Sequence, residues 1–206
     1  LFPFPMTIKH LIGLTGGIGT GKTTVSNYLA DSYGLPILDA DIYAREAVQP
    51  GSLVLDKIFE RYGSSVQLAD GILNRKRLGE IVFNDQNQRR WLEQQIHPYV
   101  RDRFQSQLAT LTNPTVVLVV PLLFETGMTD LVNEIWVVSC SPEQQLRRIM
   151  ERDALTQEQA LSRLNSQLPI QEKVARADVV LDNSSTRDNL LKQVNLAVKG
   201  LDCAIE

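Results

Sequence analysis

Two kinds of stretch alternate along this chain. Residues 9–15 form a short, mostly apolar run that ends in a glycine cluster, as a strand buried on both faces requires. Residues 36–39, 115–121, 134–139 and 179–181 repeat the type. Between them, apolar side chains fall at helical spacing: Val25, Tyr28, Leu29 and Tyr33 predict an amphipathic helix over 23–33, with Gly34 to stop it. The same reasoning predicts helices over 142–152, 156–168 and about 185–198. Strands alternating with helices imply a parallel sheet of five strands covered on both faces.

The alternation is interrupted once. Residues 41–114, about 75 in all, are polar and helix-patterned, with Leu53, Ile58, Phe59, Leu78, Ile81, Val82, Trp91, Leu92 and Ile96 as apolar anchors. The expected organisation is a single domain over 9–206. Its core is residues 9–41 and 114–206, and a helical insertion occupies 42–113. The longest apolar run, 116–124, has nine residues and contains Pro121, whereas a membrane-spanning helix needs about 20. No membrane association is expected.

The glycine cluster carries the first chemistry. Gly16-Gly17-Ile18-Gly19-Thr20-Gly21-Lys22-Thr23 has Gly, a second Gly five positions on, then Lys and Thr, between a predicted strand and a predicted helix. Glycines allow positive φ, so that successive amide N–H groups point inward at phosphate oxygens. Lys22 supplies a charge for the β and γ phosphates. Thr23 offers a hydroxyl to Mg²⁺ at a helix N-terminus that favours anions. A dinucleotide fingerprint is disfavoured, because Lys22 stands where its third glycine belongs. A GTPase reading lacks its Asn-Lys-x-Asp guanine motif.

Asp39-Ala40-Asp41 ends the second predicted strand. If extended geometry persists, both carboxylates point to the same side. One can then hold the metal's water shell while the other accepts a proton from an attacking hydroxyl, the two tasks of phosphoryl transfer. Asp41 also suits the N-cap of a helix starting at Ile42, and one residue can do both.

Residues 147–176 contain six basic and four acidic side chains. Arg148 and Arg152 lie four apart on one helix face and are suited to neutralising a transferring phosphoryl group, so a helical lid over 143–176 is expected. Glu151 and Glu172 are alternative partners for these bases. Across the whole chain, 21 basic and 24 acidic residues leave a net charge of −3, which argues against a nucleic-acid partner. Two distant cysteines, Cys140 and Cys203, fit a reducing compartment, the cytoplasm, better than a disulfide framework. Residues 1–5 do not resemble a signal peptide, and Met6 suits a natural start. Nothing in the sequence speaks to oligomeric state.

Taken in order, the segments 14–24, Asp39-Ala40-Asp41 with Ala44-Arg45, Arg75, His97-Pro98, 120–125, Ser141-Pro142-Glu143, Gln145, Arg148, Arg152-Asp153, Gln167, Lys173, Ala177-Asp178 and Asn183 resemble the dephospho-coenzyme A kinase family. The resemblance spans almost the whole chain. It implies an α/β fold of P-loop NTPase type, with a helical acceptor-binding insertion and a lid. The implied reaction is ATP-dependent, Mg²⁺-assisted phosphorylation of the ribose 3′-hydroxyl of dephospho-coenzyme A, the last step of coenzyme A biosynthesis. On this footing Gly17, Ile18, Gly19, Thr20, Gly21, Lys22, Thr23 and Thr24 hold the nucleotide, with Arg148 and Arg152 on its phosphates. Asp41 is the base, and Asp39 joins Thr23 at the metal. Arg75, His97, Pro121, Leu122 and Leu123 belong to the acceptor pocket together with the two aspartates. A histidine before proline also suits a structural hydrogen bond at a helix break. The 121–124 turn suits core packing as well as a pantetheine arm.

Overall fold

The computed structural model describes residues 9–204, leaving aside the side chains of residues 83, 84 and 202–204. Residues 1–5, Met6 and the Cys203 side chain therefore lie outside the described residues. The described residues divide into two compact units, one of residues 9–38 and 112–204, the other of residues 39–111.

In the first unit the apolar runs become β1 (His10–Gly16), β2 (Ile37–Asp39), β3 (Thr115–Val119), β4 (Glu134–Ser139) and β5 (Val179–Asp182). They form one sheet in the order β2-β3-β1-β4-β5. β1 is central and parallel to both neighbours, with Leu14 opposite Val119 on one side and Trp136 on the other. This explains its unbroken apolar pattern, since Ile12 and Leu14 have no exposed surface. Helices α1 (Lys22–Tyr33), α6 (Pro142–Asp153), α7 (Gln157–Asn165), α8 (Ile170–Val174) and α9 (Arg187–Ala204) belong to the same unit. Val25 and Leu29 of α1 and Leu190, Val194 and Val198 of α9 pack on β1 and β4 through Trp136 and Val138. Each such side chain contributes roughly 1.5–3 kcal/mol by leaving water.

The chain leaves β1 for the edge strand β2, while the connection from β3 crosses to β4 on the other side of β1. That reversal opens a crevice at the carboxyl ends of β1 and β3, where ligands of open α/β sheets bind.

One helix is shorter than its periodicity predicts. The expected run over 156–168 ends at Asn165. Pro169 disfavours helical geometry at Leu168, whose N–H instead donates to Glu125 Oε1 at 3.0 Å. The last helix runs past residue 198 to Ala204.

The second unit is helical: α2 (Ala40–Glu46), α3 (Leu53–Tyr62), α4 (Arg75–Asn84) and α5 (Gln86–Thr110). Its core joins Ala47, Val48, Val54, Leu55, Ile58, Val66, Leu73 and Leu78, with Trp91, Leu92 and Ile96 packed against them. Leu53 is not the anchor that its position suggests, being 79% exposed. Ser52 caps α3 by accepting the Leu55 N–H at 3.1 Å, so Leu53 occupies the first helical position and faces out, while Val54, Leu55 and Ile58 form the buried stripe. No helix of the described residues is long and apolar enough to cross a membrane.

Candidate active site

Gly16 to Lys22 join the end of β1 to the start of α1. Gly16, Gly19 and Gly21 have φ of 150°, 76° and 103°, the conformations that the loop pattern anticipates. At Gly16 any side chain is blocked as well as strained, because a Cβ would run into the Val138 carbonyl oxygen of β4. Thr20 is fully buried, and its hydroxyl donates to the Gly17 carbonyl at 2.9 Å. Thr24 and Val25 donate their N–H groups to the Gly21 carbonyl, the first turn of α1. Lys22 Nζ donates to the Gly16 and Gly17 carbonyls at 3.1 and 2.8 Å, so the ammonium is folded back over its own loop. The Thr23 side chain is exposed in that first turn.

Neighbouring segments hold the loop from outside. Gln145 Nε2 donates to the Ile18 carbonyl at 2.8 Å, and Gln167 Oε1 accepts the Ile18 N–H at 2.9 Å. Asn183 Nδ2 donates to the Thr20 carbonyl at 2.8 Å. Arg148 reaches the Gly19 carbonyl at 3.4 Å and the Asn183 carbonyl at 3.0 Å. Arg152, one turn on, is placed differently. Its guanidinium forms two hydrogen bonds to Asp153, at 2.8 and 3.0 Å, and Asp153 also accepts Arg163 at 2.6 Å. Their shared helix face thus brings only Arg148 onto the loop in this conformation. A pocket of about 470 Å³ under α6, α7 and α8 reaches the loop at Gly17, between Gln145 and Gln167.

Gln145, Gln167 and Asn183 carry no local signal of this role. They lie 127, 149 and 163 residues from their loop partners, and only the sheet brings them there. The same holds for Lys173. Its side chain is completely buried, donating to Glu125 Oε1 at 2.8 Å and to the Pro121 carbonyl at 3.0 Å. Glu172, an expected partner for the bases of this segment, pairs loosely with Arg176 at 3.9 Å. Pro121 also accepts the Thr15 hydroxyl at 3.2 Å. Leu123 is fully buried, so the core half of the expectation for the 121–124 turn holds there.

The aspartate pair belongs to the helical unit. Extended geometry does not persist to Asp41, because α2 begins at Ala40. Asp39, not Asp41, is the N-cap, its Oδ1 accepting the Asp41 N–H at 2.8 Å. Asp41 sits exposed in the first turn, where a carboxylate is favoured by the helix dipole. Within this unit Asp41, Arg45 and Arg75 line a pocket of about 450 Å³ whose apolar walls include Val48, Leu78, Val82, Leu92 and Ile96. Arg75 Nη2 donates to the Arg45 carbonyl at 3.4 Å. His97 follows Ile96 on α5, which runs through Pro98 instead of breaking there. Burial pushes the His97 imidazole below its ordinary range, against the pull of Glu93.

Among the described residues, no three His, Cys, Asp or Glu side chains cluster as a metal site. Mg²⁺ needs no such cluster, since it binds through one or two oxygen side chains plus substrate phosphates and water. The Thr23 hydroxyl and the Asp39 carboxylate are oxygen donors of that class.

Comparison with known proteins agrees with this architecture. The sequence profile of the family described as dephospho-CoA kinase matches residues 10–189. A dephospho-CoA kinase of Nostoc sp. is 62% identical over 190 residues, covering 92% of this chain and 97% of the relative. A crystal structure from Thermus thermophilus superposes with a TM-score of 0.80 at 34% identity, covering 96% of this chain and 98% of its own. Dephospho-CoA kinase from Campylobacter jejuni superposes with a TM-score of 0.72 at 30% identity, covering 96% and 100%. With a family profile along most of its length and relatives of this similarity, the chain belongs to the dephospho-CoA kinase family.

Proposed function

We infer that this protein is an ATP-dependent kinase that phosphorylates the ribose 3′-hydroxyl of dephospho-coenzyme A, giving coenzyme A and ADP in the last step of coenzyme A biosynthesis. The observation that carries the reading is the phosphate loop. It is built with the required positive-φ glycines and a lysine at its mouth, in a chain whose family has this activity.

The residues divide the work as follows. Loop amides and the α1 N-terminus bind the phosphates, and Lys22 leaves its loop carbonyls for the β and γ oxygens. Arg148, already on the loop, adds positive charge where the transferred group develops negative charge. Arg152, at the last turn of α6, joins it by exchanging Asp153 for phosphate as the exposed part of the expected lid, around α7, closes. The pocket with Arg45 and Arg75 takes the anionic acceptor, its apolar wall covering the uncharged part. Asp41, at the rim of that pocket, accepts the hydroxyl proton. Thr23 and Asp39 would hold Mg²⁺, which would supply positive charge to offset the negative charge of the phosphates. Cys140, a free buried thiol pushed up by that burial, suits a reducing cytoplasm.

Mixing protein, MgATP and dephospho-coenzyme A and following ADP and product tests this directly. ADP release must depend on the acceptor; release at the same rate without it overturns the reading. Lys22→Ala is expected to weaken ATP binding and to lower turnover together. Calorimetry with a non-hydrolysable ATP analogue checks it, and intact affinity would count against the loop assignment.

A further inference from the structure

The two peptide groups that flank Ile18 in the phosphate loop are each gripped from outside. The Ile18 carbonyl accepts Gln145 Nε2, and the Ile18 N–H donates to Gln167 Oε1. The two glutamines differ in kind. Gln145 belongs to α6, is 4% exposed, and lies so close that a Cβ on Gly17 would collide with its amide. It is a fixed wall. Gln167 comes from the short link between α7 and α8, and that link is bolted down beyond it. The Leu168 N–H and the buried Lys173 ammonium both end on Glu125 Oε1, at 3.0 and 2.8 Å, and Lys173 also holds the Pro121 carbonyl. Glu125 and Pro121 follow β3 at the carboxyl end of the sheet. The Gln167 backbone is thus anchored to the turn after β3 while its side chain grips the loop after β1. Amides of such a loop are the groups that bind phosphate, so the orientation of the two peptides flanking Ile18 bears on the nucleotide.

We propose that Gln167 is a positioning residue for phosphoryl transfer, fixing the phosphate loop through Ile18 in the form that the nucleotide meets. The proposal rests on the kinase reading above, and its test is chosen to be separable from it. Gln167→Ala removes the grip. Titration with a non-hydrolysable ATP analogue is expected to show affinity reduced roughly three- to tenfold, the size of one net hydrogen bond. Turnover should fall by a similar factor, KM for dephospho-coenzyme A should stay within twofold, and adenosine, which has no phosphate, should bind as before. Gln167→Met, which keeps the length but not the acceptor, is expected to match the alanine variant and serves if that variant does not fold.

Analogue affinity and kcat both within twofold of wild type, with only the melting temperature lowered, would overturn the proposal by making Gln167 merely structural. Tighter analogue binding would overturn it too, because Gln167 would then compete with phosphate. Failure of the wild-type protein to phosphorylate dephospho-coenzyme A would sink the kinase reading yet leave the calorimetric comparison intact.

Discussion

Asp41→Asn is expected to lower kcat by a factor of about 10² or more while leaving affinity for a non-hydrolysable ATP analogue nearly unchanged. General bases contribute roughly 10² to 10⁴ in rate, and an amide of the same shape cannot accept the proton. The position lends itself to this test. The Asp41 side chain is exposed in the first turn of α2, and its backbone N–H, which asparagine keeps, completes the cap on Asp39. Asparagine therefore leaves that cap in place. Asp39→Asn is the companion variant. Asparagine caps a helix about as well as aspartate, so α2 stays intact and any lost turnover, recoverable with added Mg²⁺, reads the carboxylate charge. Asp39→Ala confounds the two by costing about 1 kcal/mol of cap. Steady-state kinetics and calorimetry on the three proteins separate the roles, and near-wild-type turnover in Asp41→Asn would remove it as the base.

The second large effect is on stability. Glu125→Ala leaves a fully buried ammonium without its carboxylate and should cost about 3–5 kcal/mol. At roughly 2–4 °C per kcal/mol for a chain of this length, the melting temperature should fall by about 10 °C. Lys173→Met should cost distinctly less. Its thioether fills the site with apolar volume, and the stranded Glu125 side chain is 22% exposed and can reach water. The Pro121 carbonyl loses its lysine donor but keeps the Thr15 hydroxyl, so what remains is the loss of one net hydrogen bond, about 0.5–1.5 kcal/mol. Thermal melts of both variants decide the matter, and equal losses would contradict the asymmetry. The same pair fixes the link that presents Gln167, so a loss of ATP affinity alongside the loss of stability in Glu125→Ala is expected.

The five strands were legible because a strand buried on both faces must be apolar throughout, which is a property of a few consecutive residues. The phosphate loop was legible for a related reason, since its positive-φ glycines and its lysine lie within eight residues. Errors came where one residue decides the outcome. Asp39 took the cap assigned to Asp41 because α2 starts at Ala40, and Leu53 faced out because Ser52 set the helix register. The helix over 156–168 stopped early because Leu168 found a partner 43 residues away.

By itself the sequence determined the α/β alternation, the loop that binds phosphate and the place of the helical insertion, because each depends on local periodicity or on the φ preference of single residues. Only the tertiary structure decided that Arg148 rests on the loop while Arg152 pairs with Asp153, that Lys173 is buried against Glu125, and that Gln145 and Gln167 hold the two peptides flanking Ile18. Such choices follow from which polar groups become buried together and must satisfy one another. Sequence spacing cannot express that when partners such as Gln167 and Ile18 stand 149 residues apart.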